Sequence, residues 1–132
     1  MRKGNMKDNT SKIVEALKLK ASEILPEGAR LILYGSRARG DNRPDSDWDI
    51  QVLIPGEEKL ALALWDVYAW PLELVGFEYN EIINARLYSF KGWLKRSFLP
   101  FYENVEREGI VLYQKCKPSL PTITGNVIDN EL

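Results

Sequence analysis

Residues 31–54 read LILYGSRARGDNRPDSDWDIQVLI, and this stretch does most to decide the fold. Its two apolar runs, 31–34 and 48–54, have the length and composition of buried β-strands. A glycine-bounded turn at 35–40, which can open a short helix, follows the first run, and turn residues around Pro44 lead into the second. The stretch therefore predicts a strand, a turn with a short helix, and a second strand.

The segments on either side of this unit extend the pattern. Upstream, apolar residues recur at helical spacing from a cap at Thr10 or Ser11 as far as Pro26. Downstream, a helical pattern begins at Glu57, and Pro71 within it predicts a kink or split near Trp70.

Three further elements follow: a strand over 81–88, a helix over 98–106 and a short strand over 110–113. This order predicts an α/β (α+β) domain with one mixed β-sheet and helices packed on it. We expect residues 1–9 to be a flexible N-terminus, 10–113 the domain and 114–132 a mobile C-terminal tail.

The composition restricts the chemistry that this chain can perform. The chain has 132 residues, 45% of them hydrophobic, which suits one domain with one core. It has no histidine, which removes the Ser-His and Cys-His pairs of nucleophilic enzymes, and its single cysteine excludes an internal disulfide. Any catalysis must therefore depend on carboxylates, hydroxyls, lysine, arginine and a hard metal ion.

Charge and hydropathy predict a cytoplasmic protein. The formal net charge of -1 creates no general attraction for nucleic acid or an anionic membrane. The N-terminus lacks the apolar run of a signal peptide, and no stretch approaches the roughly 18 apolar residues of a membrane span. We expect no membrane partner and no nucleic-acid partner. The basic cluster Lys91, Lys95 and Arg96 is either a solvated face or a contact for a partner or nucleic acid.

Asp47 and Asp49 stand two residues apart at the start of the second strand. Side chains two apart project from the same face of a strand, about 6.5 Å from each other, while Trp48 turns to the opposite face. Paired carboxylates repel, and Mg²⁺ is commonly held by one or two carboxylates together with substrate phosphates. The pair is therefore a candidate metal site, the alternative being an acidic, solvated turn.

The turn upstream of the aspartates has the features of a phosphate site. Gly35 allows the backbone to approach a ligand closely, and a helix that opens at Ser36 directs free N–H groups toward an anion. Arg37 and Arg39 add guanidinium groups that can pair with phosphate oxygens. For the two arginines the alternative is a surface pair, or a salt bridge to Asp45.

The segment GSRARG (35–40) followed by PDSDWDI (44–50) resembles the signature Gly-Ser…Arg-Gly…Ser-Asp-x-Asp of nucleotidyltransferases of the DNA polymerase beta superfamily. It is most similar to their small stand-alone branch, the minimal nucleotidyltransferase (MNT) domains. The resemblance covers residues 10–113, and its specificity lies in 35–50. It implies a nucleotidyltransferase fold and the transfer of a nucleotidyl group from a triphosphate with release of pyrophosphate.

The resemblance also implies the residues that bind nucleotide. Gly35 and Ser36 contact the triphosphate, and Ser46 belongs to the same set. Arg37 is the candidate phosphate ligand of the two arginines, whereas Arg39 either binds phosphate or braces the loop. The implied substrate is ATP or another nucleoside triphosphate.

Asp47 and Asp49 are the implied metal ligands and catalytic residues, with Mg²⁺ or Mn²⁺ as the cofactor. MNT-like proteins are commonly partnered with a helical HEPN protein, and some transfer AMP onto it. The implied partner is therefore a HEPN-type protein or a second copy of this chain. In the alternative function, the chain is a catalytically weak binding module that forms the antitoxin-like half of a two-protein complex.

One departure from the family pattern bears on catalysis. The family usually has a third carboxylate on the neighbouring strand, where it helps to deprotonate the acceptor. In this chain Asn84 falls near that position, and Glu81 is the only carboxylate on the predicted strand 81–88. Glu81 is therefore the candidate third catalytic acid, and substrate binding is more secure than turnover.

Overall fold

A computed structural model describes residues 3–115 of the chain, and it describes side chains from residue 9 onward. The elements in chain order are α1 (Lys3–Ile24), β1 (Arg30–Tyr34), α2 (Ser36–Arg39), β2 (Trp48–Ile54), α3 (Ala63–Tyr68), α4 (Trp70–Glu78), β3 (Ile83–Ser89), α5 (Phe90–Leu94), α6 (Pro100–Glu108) and β4 (Ile110–Gln114). Residues 116–132, in which most of the expected tail falls, lie outside the described part.

The two strands of the 31–54 unit form the centre of a four-stranded sheet with the order β3-β2-β1-β4. Strand β1 is antiparallel to both β2 and β4, whereas β2 and β3 are parallel. The parallel pair requires a crossover, which helices α3 and α4 supply. The predicted α+β domain with a mixed sheet and packed helices is confirmed.

Helices cover the two faces of this sheet unequally. Helices α1, α3 and α4 pack on one face and bury the larger core, which includes Leu17, Trp48, Ile50 and Leu72. The opposite face carries a smaller cluster in which Trp93 and Val105, from α5 and α6, pack on the strands. This second face is only partly covered. The N-terminal ends of β2 and β3 therefore remain accessible to solvent on this face.

Several predicted boundaries differ from the observed ones. Helix α1 begins at Lys3, before the expected cap, and the flexibility of residues 1–9 stays a prediction. The helix expected from Glu57 begins only at Ala63, and in the irregular stretch before it the Glu58 carbonyl accepts a hydrogen bond from the Ser89 hydroxyl at 3.2 Å. The predicted break near Trp70 is confirmed, with Pro71 in the first turn of α4.

The third strand begins at Ile83, which leaves Glu81 in the preceding turn rather than on the strand. The sequence also did not predict α5, whose N-terminus is capped by Ser89 accepting a hydrogen bond from the Gly92 N–H at 2.9 Å. Strand β4 extends to Gln114, and Lys115 donates hydrogen bonds to the carbonyls of Ser22 and Leu25. None of the helices in residues 3–115 has the length and apolar character needed to span a bilayer.

Candidate functional site

Asp47 and Asp49 converge on a single side chain of the neighbouring strand. Asn84 is the parallel partner of Asp49 in the register, and its Nδ2 donates to Asp47 Oδ2 at 3.1 Å and to Asp49 Oδ1 at 3.5 Å. Trp48 is buried in the core on the opposite face, as the alternation of side chains along β2 requires. The two carboxylates therefore share one space on the partly covered face of the sheet.

The turn between β1 and α2 lies directly against Asp49. Gly35 has φ 80° and ψ -160°, a conformation that is essentially restricted to glycine. A Cβ atom at this position would lie 2.6 Å from Asp49 Oδ2. Glycine is therefore required both by the backbone conformation and by the close approach of the carboxylate. Ser36 follows as the first residue of α2.

The environment of Asp49 favours its protonated form. Burial is the largest cause that raises its pKa, and the charge of Asp47 adds to it. The hydrogen bond from Asn84 and the charges of Arg86 and Arg39 act in the opposite direction without cancelling the shift. Ionising Asp49 therefore costs free energy in this environment, and a bound divalent cation would relieve that cost.

Arg37 is turned inward and braces the loop. Its side chain is only 8% exposed. Its guanidinium donates to the Ser46 carbonyl at 2.8 Å and to the Pro44 carbonyl at 3.2 Å, and it lies 4.7 Å from the centre of the Trp48 ring. These contacts fix the loop that leads into β2 and engage the Nε and Nη2 donors of Arg37. Its role as a phosphate ligand stays a prediction.

Arg39 is more exposed than Arg37 but is paired with two carboxylates. It donates to Asp41 at 3.1 Å and to both carboxylate oxygens of Glu108, at 3.1 and 3.2 Å. Glu108, the last residue of α6, also accepts the Gly35 N–H at 2.8 Å. The arginine therefore joins α2 to α6, and one carboxylate holds both the arginine and the glycine turn.

Glu81 and Ser46 belong to the rim of the site. Glu81 is 3.4 Å from Arg37 and lines a cavity of about 410 Å³ with residues of α1 and the loop. Among the described contacts, none joins Glu81 to Asp47 or Asp49. Ser46 accepts the Arg43 N–H through its hydroxyl at 2.8 Å, which shapes the turn before Asp47. The structure thus brings Asn84, rather than Glu81, against the aspartates.

Comparison with known families agrees with this geometry. The family model described as a nucleotidyltransferase domain matches residues 11–111, which is most of the chain. The chain belongs to the nucleotidyltransferase domain family. No curated protein sequence matches this chain significantly.

One solved structure shows the same fold at low sequence identity. A proposed nucleotidyltransferase from Sulfolobus solfataricus is 17% identical, with a TM-score of 0.52, and the match covers 89% of this chain and 88% of that one. A toxin–antitoxin structure with AMP-PNP is also 17% identical, with a TM-score of 0.47, and the match covers 81% of this chain and 72% of that one. The structural similarity to the second protein is too low to support a conclusion about function.

The side chains around Asp47 and Asp49 are of the chemical type that binds Mg²⁺. Two carboxylates and the amide oxygen that Asn84 can present on rotation are hard oxygen ligands, and substrate phosphates commonly complete such a site. Within residues 9–115, no group of three or more histidine, cysteine, aspartate or glutamate residues is placed to hold a metal ion.

Sequence reasoning missed two charged residues at this site of the nucleotidyltransferase domain. Arg86 is two residues after Asn84 on β3 and shares its face, so strand alternation could have found it once Asn84 was placed. No local sequence pattern could have identified Glu108, because its contact with Gly35 joins residues that are 73 apart in the chain.

Proposed function

We propose that this nucleotidyltransferase domain binds ATP or another nucleoside triphosphate with Mg²⁺ or Mn²⁺ held by Asp47 and Asp49, and transfers the nucleoside monophosphate to a partner protein. The observation that carries the proposal is the contact of one amide, that of Asn84, with both carboxylates. Carboxylates that converge on one point are a natural cation site. The Gly35–Ser36 turn touches Asp49, so a triphosphate on this turn would reach the same cation.

The proposed reaction is a nucleotidyl transfer to a hydroxyl group. The acceptor oxygen forms a bond to the α-phosphorus, the bond from that phosphorus to the bridging oxygen breaks, and pyrophosphate leaves. The bound cation would neutralise charge on the phosphates. The acceptor proton needs a base, and Glu81 is the proposed one. Asp47 and Asp49 hold the cation, while Gly35, Ser36 and the loop that carries Ser46 position the triphosphate.

Calorimetric titration with Mg²⁺ and ATP tests the binding step. We expect wild type to bind and Asp47→Asn/Asp49→Asn to show no measurable binding, because the substitutions keep the side-chain shape and remove the charge. Asp45→Asn is the matched control, since Asp45 is an exposed acid of the same loop. Equal affinity for wild type and the double variant would contradict the metal assignment.

A second function, that of a binding module without turnover, is favoured by one observation. Asn84 occupies the position opposite Asp49 where a third carboxylate would complete the catalytic set, and an amide cannot accept a proton there. In this case the chain binds the triphosphate and acts as the antitoxin-like half of a complex. We expect negligible transfer by the isolated chain under either function.

The intact mass of a partner after incubation with ATP and Mg²⁺ separates the two functions. Added mass corresponding to AMP on a tyrosine, serine or threonine of the partner supports the transferase, and no added mass supports the binding module. Loss of the adduct in Glu81→Gln would support Glu81 as the base. Unchanged transfer in that variant would mean that Asp47 and Asp49 suffice.

An exposed apolar stripe supports the existence of a protein partner. Val67, Trp70, Leu74 and Phe77 recur three or four residues apart along α3 and α4 and are between 39% and 66% exposed. The Trp70 and Phe77 rings meet edge to face at 6.2 Å. Contiguous apolar surface of this kind commonly marks an interface. The proposed occupant is a helical HEPN-type protein, the alternative being a second copy of this chain.

Sedimentation velocity distinguishes the two occupants. A monomer that shifts to a larger species only with the partner supports the heteromeric complex, whereas self-association of the pure chain supports the second copy. Phe77→Lys should prevent whichever complex forms. Leu19→Lys is the matched control, because Leu19 is similarly exposed on α1, outside the stripe.

A further inference from the structure

Arg86 is an exposed cation beside the two aspartates, and it belongs to none of the sequence motifs. It lies two residues after Asn84 on β3 and projects from the same face of the sheet. In the register, Asn84 is opposite Asp49 and Arg86 is opposite Gln51, the next residue of β2 on that face. The attachment point of Arg86 is therefore only about 6.5 Å along the strand from that of Asn84.

The surroundings of Arg86 hold its guanidinium in place without neutralising it. Its charge interacts with the neighbouring hydroxyls of Tyr88 and Tyr34, which help to raise the pKa of Arg86, and its guanidinium carbon lies 5.1 Å from the centre of the Phe101 ring of α6. Within residues 9–115, no carboxylate lies at salt-bridge distance from Arg86. The side chain thus lies against neutral groups and keeps its charge near Asp49.

The two arginines of the sequence motif differ from Arg86 in this respect. Arg37 is nearly buried and donates to backbone carbonyls of its own loop. Arg39 is paired with two carboxylates, Asp41 and Glu108. Arg37 is thus withdrawn from the open face and the charge of Arg39 is already paired, whereas Arg86 is exposed and has no carboxylate partner within residues 9–115.

We propose that Arg86 is the arginine that binds a phosphate group of the nucleotide. A guanidinium presents several N–H donors in one plane and can pair with two oxygens of a phosphate. Tyr34 and Tyr88, whose hydroxyls neighbour the guanidinium, are the proposed positioning residues. The inference rests on the proposed function, since it assigns a residue to the nucleotide that Asp47 and Asp49 would hold through Mg²⁺.

Calorimetric titration of Mg²⁺·ATP into Arg86→Gln tests the assignment. A lost charge-assisted hydrogen bond should weaken binding by about tenfold or more. Arg30→Gln is the matched control, because Arg30 also lies against an aromatic ring, Phe90 at 5.4 Å, but at the opposite end of β1 from the site. Arg30→Gln should leave the dissociation constant unchanged to within about twofold.

Two further variants keep the test decisive if Arg86→Gln is poorly folded. Arg86→Lys keeps the charge but loses the planar donors, so we expect an intermediate loss of affinity. Tyr34→Phe removes one orienting hydroxyl and should weaken Mg²⁺·ATP binding by about two- to threefold. Thermal unfolding of each variant shows whether the loss of affinity occurs in a folded protein.

The outcomes separate this inference from the proposed function. If wild type binds Mg²⁺·ATP, the Asp47/Asp49 double variant does not, and folded Arg86→Gln and Arg86→Lys bind as wild type does, the Arg86 assignment alone is overturned. If wild type itself fails to bind the nucleotide with Mg²⁺, the proposed function is overturned and the assignment of Arg86 with it. A selective loss of affinity in the Arg86 variants supports both.

Discussion

The Oδ2 atom of Asp49 lies 2.6 Å from the position that a Cβ atom on Gly35 would occupy. The residues come from two antiparallel strands, since Tyr34 pairs with Asp49 in the register and Gly35 follows at once. No side chain fits between the Gly35 turn and this carboxylate. The turn that we propose binds the triphosphate is therefore in direct contact with Asp49, a proposed ligand of the cation.

Gly35→Ala should lower both stability and nucleotide binding. The added methyl group meets Asp49, and the backbone conformation costs alanine on the order of 1–3 kcal/mol. Gly40→Ala is the matched control, because Gly40 also has a positive φ of 87° but no atom within 4 Å of its Cβ position. Thermal unfolding and Mg²⁺·ATP titration of both variants measure the effects. Equal behaviour of the two variants would show that the contact with Asp49 is unimportant.

Asp49→Asn should stabilise the metal-free protein at neutral pH. Burial raises the pKa of Asp49 in the folded state, so the folded protein binds this proton more tightly than the unfolded chain does. Ionised Asp49 therefore destabilises the fold above the raised pKa, and the cost disappears as the pH falls toward the ordinary value of 3.8. We expect a melting temperature higher by on the order of 3 °C near neutral pH, with the gain vanishing in acid.

Thermal unfolding in EDTA across the pH range measures this difference. Asp45→Asn, which removes the charge of an exposed acid in the same loop, is the control for the loss of one negative charge. A lower melting temperature for Asp49→Asn at neutral pH would contradict the prediction. With Mg²⁺ and ATP present the order should reverse, because only wild type gains stability from the ligand.

Arg37→Gln should lower the stability of the fold, because Arg37 braces the loop. If Arg37 were only a surface ligand for phosphate, the substitution would leave the stability nearly unchanged. The substitution removes the donor from the Ser46 carbonyl in a part-buried contact and from the more exposed Pro44 carbonyl, at a cost of about 2 kcal/mol. Chemical denaturation measures this loss against Arg43→Gln, an exposed arginine of the same loop. Unchanged stability with a strong loss of ATP affinity would instead assign Arg37 to the phosphates.

Deleting residues 117–132 should change the melting temperature by less than about 2 °C. The last described contacts of the chain are those of β4 and Lys115, whose amide nitrogen donates to the Ala29 carbonyl at 2.9 Å. The deletion keeps all of them. A large loss of stability would show that apolar residues of this segment, such as Ile123 and Val127, pack on the domain.

The local features of the site were predictable because they depend on short-range geometry. Two aspartates two apart on a strand must share a face, and a glycine after a buried strand permits a tight turn. The strand boundaries of β2 and the break at Pro71 follow from equally local rules. Glu81 shows where such rules fail, because the strand begins two residues later than the composition suggests.

The sequence by itself determined the strand–turn–strand unit, the shared face of Asp47 and Asp49, and the family to which the chain belongs. Only the tertiary structure decided that Asn84 meets both aspartates, that Arg37 and Arg39 are engaged elsewhere, and that Arg86 lies on the same face as Asn84, against the Phe101 ring. The physical reason is that these relationships depend on the parallel register of β2 with β3 and on the docking of α6. Both join residues far apart in the chain, so no local pattern specifies them.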